Sequence, residues 1–117
     1  MTLVTSRWEA QGYTALEAMI QGCPVIVTDT GGLSEIVEHE VTGLLARLDD
    51  IEDLCQKVMR LLKDPIEACR MGNNARRFVI SQHSMQKIAK ETVDVYWQAI
   101  SMLNPKKTVE PSRMENP

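Results

Sequence analysis

Glu9 and Glu17 are carboxylates with seven residues between them, set in the run Arg7-Trp8-Glu9-Ala10-Gln11-Gly12-Tyr13-Thr14-Ala15-Leu16-Glu17-Ala18-Met19. An ionised carboxylate only accepts hydrogen bonds, so it suits paired hydroxyls such as those of a ribose and disfavours phosphate. Between the two acids, Gly12 permits close backbone approach. A helix beginning there presents free N–H groups to an anion, and a diphosphate fits that demand. The spacing suggests a ligand with hydroxyls at both ends and phosphate between.

For both acids to reach one ligand, the segment must lie at the carboxyl edge of a parallel sheet, where open α/β sheets place their ligands. Thr2 to Thr5 reads as a short strand, and Ser6 to Gly12 as an irregular loop. A helix follows from near Gly12 or Tyr13, with Leu16, Met19 and Ile20 apolar, closed by Gly22 and then Pro24. Pro24 to Thr28 is β-branched and almost wholly apolar, the pattern of a parallel strand covered on both faces. After the turn Asp29-Thr30-Gly31-Gly32, a brief helix from Leu33 to about Glu38 and a strand from Val41 to Ala46 complete a second unit of the same kind.

The pattern then becomes helical. Ile51, Leu54, Cys55, Val58, Leu61 and Leu62 form a stripe, with Asp49 or Asp50 as N-cap. Asp64-Pro65-Ile66-Glu67 opens the next helix, expected to bury Ala68, Met71, Ala75, Phe78 and Val79. A last helix, capped by Ser84, carries Ile88, Val95, Tyr96, Ala99 and Leu103, with Tyr96 and Trp97 expected to pack it against whatever it crosses, either this core or an absent partner domain. The fold class is α/β, a parallel sheet with flanking helices and a helical C-terminal end. Residues 1–103 are expected to form one partial domain, and residues 104–117, with three of the five prolines, a disordered tail.

Composition narrows the function. A chain of 117 residues, 44% hydrophobic, buries one core and has no room for a second full domain. A formal charge of −3 lacks the basic excess that draws a chain to nucleic acid or anionic lipid. Cys23, Cys55 and Cys69 are odd in number and widely spaced, which suits a reducing cytoplasm better than a disulfide framework. No apolar run approaches a membrane span, and Met1 to Arg7 lacks a signal peptide's pattern, so a cytoplasmic location is expected, with peripheral membrane contact left open. Asp49 and Asp50 read as a helix cap rather than a metal site. Glu35, Glu38, His39, His83, Arg76 and Arg77 read as solvated surface.

The segment from Ser6 to Met19, with Gly22-x-Pro24-Val25-Ile26-Val27-Thr28-Asp29-Thr30-Gly31-Gly32-Leu33-Ser34-Glu35-Ile36-Val37 and Thr42-Gly43-Leu44-Leu45, closely resembles the C-terminal domain of the group-one (family four) glycosyltransferases of GT-B fold. The resemblance implies a Rossmann-like half-domain and a nucleotide-sugar donor. It implies that Glu9 is the catalytic residue, beside the donor sugar, holding a hydroxyl and supporting positive charge at the anomeric carbon. Glu17 would bind the ribose hydroxyls, and the backbone of Gly12, Tyr13, Thr14 and Ala15 the diphosphate. No metal or further cofactor is implied, and transfer to a hydroxyl acceptor would retain the anomeric configuration.

Ala10 and Gln11 stand where family members usually carry Gly-Phe, and a methyl at a glycine position restricts the loop. The family's acceptor domain and its basic Arg/Lys pair lie upstream, and Arg7 matches neither. The chain is therefore expected to be the donor-binding part of a larger enzyme, its missing N-terminal acceptor domain supplied upstream or by a separate subunit. The rival readings are a non-catalytic nucleotide-binding or partner-subunit module of a split glycosyltransferase and, ranked lower, a GT-B epimerase.

Overall fold

Three strands and five helices run along the described residues, 1–82 and 84–103, of this computed structural model. They are β1 (Thr2–Val4), α1 (Tyr13–Ile20), β2 (Val25–Thr28), α2 (Gly31–Ile36), β3 (Gly43–Ala46), α3 (Ile51–Lys63), α4 (Pro65–Gln82) and α5 (Met85–Leu103). The strands form one parallel sheet in the order β1-β2-β3, with Val4 opposite Val27 and Val27 opposite Leu45. Both crossovers step the same way, and the right-handed rule then puts α1 and α2 on one face. All four residues of β2 are buried. Val25 and Val27 pack with Ala15, Met19, Leu33 and Ile36 on the α1–α2 side, while Ile26 packs with Leu44, Leu61 and Met71 on the α3 side. The two-residue period of the strand thus feeds two cores, as the unbroken apolar run predicts.

α4 closes the arrangement by serving both cores, with Met71 in one and Ala75 and Val79 in the other. Gly72 lets it approach: a Cβ there would overlap the Gly22 carbonyl oxygen and stand 3.3 Å from Pro24 Cδ. Ala68 and Phe78 are half-buried, so the expected stripe of α4 is present but its ends reach the surface. The helix starts are as their sequences demand. Asp50 Oδ1 accepts the Asp53 N–H at 2.9 Å and Asp64 Oδ1 accepts the Glu67 N–H at 2.9 Å, each satisfying an orphan donor of the first turn.

Several boundaries differ from the sequence reading. α2 begins at Gly31, not Leu33, because the two glycines are not a free turn but the helix's first residues, pressed against the preceding loop. It ends at Ile36, since Val37 is extended. β3 begins at Gly43 rather than Val41, because Val41 and Thr42 both donate N–H bonds to the Glu38 carbonyl and form a turn. On α3 only Leu54, Val58 and Leu61 meet the core, whereas Ile51 (77% exposed), Cys55 and Leu62 face water. The 100° step per residue leaves room for a narrower face than six apolar positions suggested.

The chain divides into two compact units, residues 1–83 and 84–117. Within the second, Ser84 precedes α5 and caps it, its Oγ accepting the Lys87 N–H at 3.3 Å. Its apolar residues Ile88, Val95, Tyr96, Ala99 and Leu103 are exposed and Trp97 is half-buried. His83 and the tail at 104–117 lie outside the described residues. Among the described residues, no helix is long and apolar enough to cross a membrane.

Candidate functional site

The loops that leave the carboxyl ends of β1, β2 and β3 converge at one sheet edge, and the Glu9 loop is the first of them. Thr28, the last residue of β2, donates its hydroxyl to the Ser6 carbonyl at 2.5 Å, and Thr30 donates to the Arg7 carbonyl at 3.1 Å. Gly32 donates its N–H to the Glu9 carbonyl at 2.8 Å. Gly31 and Gly32 are so close to the Glu9 and Ala10 carbonyls that a Cβ on either would overlap a carbonyl oxygen. The Thr-Asp-Thr-Gly-Gly run is therefore the bed on which the Glu9 loop lies. The sequence presents this run as a turn, and its role as a bed emerges only from bonds between residues more than twenty positions apart.

Gly12 begins α1 in the left-handed region, with φ +65°, and a Cβ there would lie 2.6 Å from Ile36 Cδ1. Backbone conformation and space both require glycine. No side chain caps the helix and no acidic residue occupies its first turn. The first backbone bond runs from the Leu16 N–H to the Gly12 carbonyl at 3.0 Å, which leaves the N–H groups of Tyr13, Thr14 and Ala15 without an intrahelical acceptor. A helix N-terminus in that state carries partial positive charge and favours an anion.

The two acids flank this helix start. Glu9 is half-buried in the loop, and its carboxylate accepts one long bond, from the Gln11 N–H at 3.5 Å. Glu17 is exposed on α1, one turn in, and no hydrogen bond or ion pair among the described residues engages it. Both carboxylates are free to accept hydroxyls. Tyr13 is 64% exposed and Thr14 is exposed, so this end of α1 is open to solvent. Ala10 does not have a positive φ, so the loop closes with a methyl where the resemblance favours glycine.

Beside this edge, toward α3, lies a shallow pocket of about 150 Å³ lined by Thr5, Arg7, Thr28, Arg47, Asp49 and Leu54 among others. Arg7 reaches across it to Asp49 at 2.9 Å. Asp49 itself sits at φ +59°, a conformation that Asp tolerates better than most residues. Below the pocket Asp53 is buried and accepts the Lys57 ammonium at 2.6 Å and the Arg47 N–H at 2.8 Å. These bonds, Lys57 first, hold its carboxyl below the usual carboxylate range. The group ties β3 to α3.

The remaining candidates are structural. His39 Nδ1 accepts the Leu45 N–H at 2.9 Å, covering part of the outer edge of β3. Glu35, Glu38, Arg76 and Arg77 are exposed. Among the described residues, no group of three His, Cys, Asp or Glu side chains could hold a metal ion.

Comparison with known proteins bears on the whole of this edge. Residues 1–78 match the family described as Glycosyl transferases group 1. An uncharacterised glycosyltransferase of Methanocaldococcus jannaschii is 39% identical over 103 residues, 88% of this chain and 26% of that protein. Sucrose-phosphate synthase from Thermosynechococcus elongatus superposes with a TM-score of 0.79 at 36% identity, over 86% of this chain and 25% of that one. Anabaena HepE, solved with UDP, superposes with a TM-score of 0.78 at 25% identity over 82% of this chain and 27% of its own, and was also solved with UDP-glucose. The chain spans about a quarter of the length of the relatives it matches. The α/β, Rossmann-like arrangement of the GT-B type is thus as expected, and the chain belongs to the group 1 glycosyl transferases.

Proposed function

We propose that residues 1–83 form the donor wall of a retaining, metal-independent glycosyltransferase that takes a nucleotide-diphosphate sugar. The carrying observation is the uncapped start of α1, flanked by two carboxylates that no strong partner engages. In this reading the N–H groups of Tyr13, Thr14 and Ala15, with Gly12 giving access, hold the diphosphate. Glu17 accepts the ribose hydroxyls, and Glu9 accepts a sugar hydroxyl and stabilises positive charge as the anomeric carbon–oxygen bond to diphosphate breaks. The acceptor hydroxyl oxygen then bonds to the anomeric carbon on the face the diphosphate leaves, and its proton passes to the departing diphosphate oxygen. No metal is needed to bind the diphosphate, because backbone dipoles supply its contacts. The nucleotide complexes of Anabaena HepE support a nucleotide-sugar ligand for this fold.

Acceptor recognition, and the cations that neutralise the leaving diphosphate, are assigned to residues outside this chain, in a further N-terminal domain or a separate subunit, in the cytoplasm. The alternative, a non-catalytic nucleotide-binding module, shares the same site and differs in transfer. Calorimetric titration with UDP, ADP and GDP tests the common part. Binding of at least one nucleotide, weakened about tenfold by Glu17→Ala, is expected from the loss of charged hydrogen bonds. Equal binding by Glu17→Ala removes Glu17 from the site.

A further inference from the structure

Three donors spaced two residues apart, the Thr28 hydroxyl, the Thr30 hydroxyl and the Gly32 N–H, reach three carbonyls of one loop, those of Ser6, Arg7 and Glu9. The residue between the first two points elsewhere: Asp29 gives its N–H to the Ala46 carbonyl at 2.8 Å and takes the Ser34 hydroxyl at 2.7 Å. The result is a comb, whose alternate teeth grip the Glu9 loop and whose gap grips β3 and α2. Among the described residues the Glu9 carboxylate makes only the 3.5 Å contact with its own loop, so its posture is set through its backbone. A second latch on the loop, Arg7 to Asp49, is 80% and 56% exposed at its two side chains. An ion pair in water is weak and screened by salt, whereas the Thr28 hydroxyl bond is sheltered on a residue only 6% exposed.

We propose that Thr28 and Thr30 are positioning residues that fix the height of Glu9 over the sheet edge, and so set the preference for a sugar nucleotide over the bare nucleotide. The inference rests on the donor-site reading above. A threonine hydroxyl aimed at a backbone carbonyl fixes a loop without entering the ligand, and two such bonds flank the residue whose carboxylate must meet a sugar hydroxyl. Removing either hydroxyl lets the loop drift at the end away from Gly12, where the diphosphate contacts lie. The sugar contact weakens and the nucleotide contact stays.

The experiment measures Kd for UDP and for UDP-glucose by calorimetry on the full chain, with melting curves, for wild type, Glu9→Gln, Thr30→Val, Thr30→Ser, Thr28→Val and the double variant Glu9→Gln/Thr30→Val. Wild type is expected to prefer UDP-glucose by about tenfold, the worth of a hydrogen bond to a charged acceptor. Thr30→Val and Thr28→Val are expected to lose most of that preference while their UDP affinity stays within about twofold. Thr30→Ser restores the preference, and the double variant is no worse than Glu9→Gln alone, since both act through one carboxylate. Thr30 is half-buried and valine has its shape, so this variant keeps the test open if Thr28→Val does not fold. A retained preference in Thr30→Val beside a lost one in Glu9→Gln overturns the positioning role, as does failure of Thr30→Ser to restore it. If wild type binds none of UDP, ADP and GDP, or binds a nucleotide and its glucose conjugate alike, the donor-site reading falls and takes this inference with it.

Discussion

Gly32→Ala is the sharpest perturbation of the contact between the Thr-Asp-Thr-Gly-Gly bed and the Glu9 loop. The added Cβ would stand 2.7 Å from the Ala10 carbonyl carbon and 3.1 Å from the Gln11 nitrogen, and would overlap the Ala10 carbonyl oxygen. All three are backbone atoms, so no side-chain rotation relieves the clash. Reaching an ordinary carbon contact of about 3.5–4.0 Å requires the loop and α2 to part by about 1 Å. Overpacking of this kind costs about 1–3 kcal/mol, which for a unit of this size lowers the melting temperature by roughly 5–20 °C. A 1 Å displacement also stretches the 2.8 Å bond from the Gly32 N–H to the Glu9 carbonyl beyond hydrogen-bonding range. The assay is a thermal melt beside UDP and UDP-glucose titrations, with Glu35→Ala, an exposed change on the same helix, as control. Gly32→Ala should melt lower and lose sugar preference, while the control stays within about 0.5 kcal/mol of wild type. A Gly32→Ala chain that melts and binds like wild type refutes the close packing on which the site depends.

Other outcomes follow from the same geometry. Gly72→Ala drives a methyl into the Gly22 carbonyl between α4 and the α1–β2 turn, so it should destabilise by about 1–3 kcal/mol without changing the ratio of the two ligand affinities. Arg7→Ala removes only an exposed ion pair and should cost no more than about 1 kcal/mol, an effect that salt titration erases. The Asp53 carboxyl is held below its unfolded range, so its contribution is complete above the usual carboxylate range and lost as pH falls through that range toward the lowered value. Acid titration of the melting temperature should show Asp53→Asn flatter than wild type over that interval and less stable at neutral pH.

Much of the site was readable because its residues announce themselves by type. The spacing of Glu9, Gly12 and Glu17 points to this helix start, with Gly12 allowing close backbone approach; its left-handed φ of +65° is a finding of the structure. The β2 strand was legible because a fully apolar, β-branched stretch has few alternatives. The bed under Glu9 was not, because the bonds from Thr28 and Thr30 join residues more than twenty positions apart. Nothing local in a Thr-Asp-Thr-Gly-Gly run separates a turn from a helix start pressed on a neighbouring loop. The α3 stripe was over-read for a related reason: hydrophobicity marks Ile51 and Leu62 as candidates for burial, but only the sheet below decides which turn of the helix is covered. Exposure of Val95, Tyr96 and Leu103 on α5 likewise could not be read from their spacing.

The central claim is that a nucleotide diphosphate sits on the open start of α1 between Glu9 and Glu17. Amide chemical shifts recorded during titration of the ¹⁵N-labelled chain with UDP test it most directly. The account predicts saturable shifts centred on Gly12, Tyr13, Thr14 and Ala15, weakened by Glu17→Ala, with the amides of the α3–α4 side unmoved. Shifts centred instead on the Arg7–Arg47–Asp49 pocket, or none with UDP, ADP or GDP at any concentration, would contradict it.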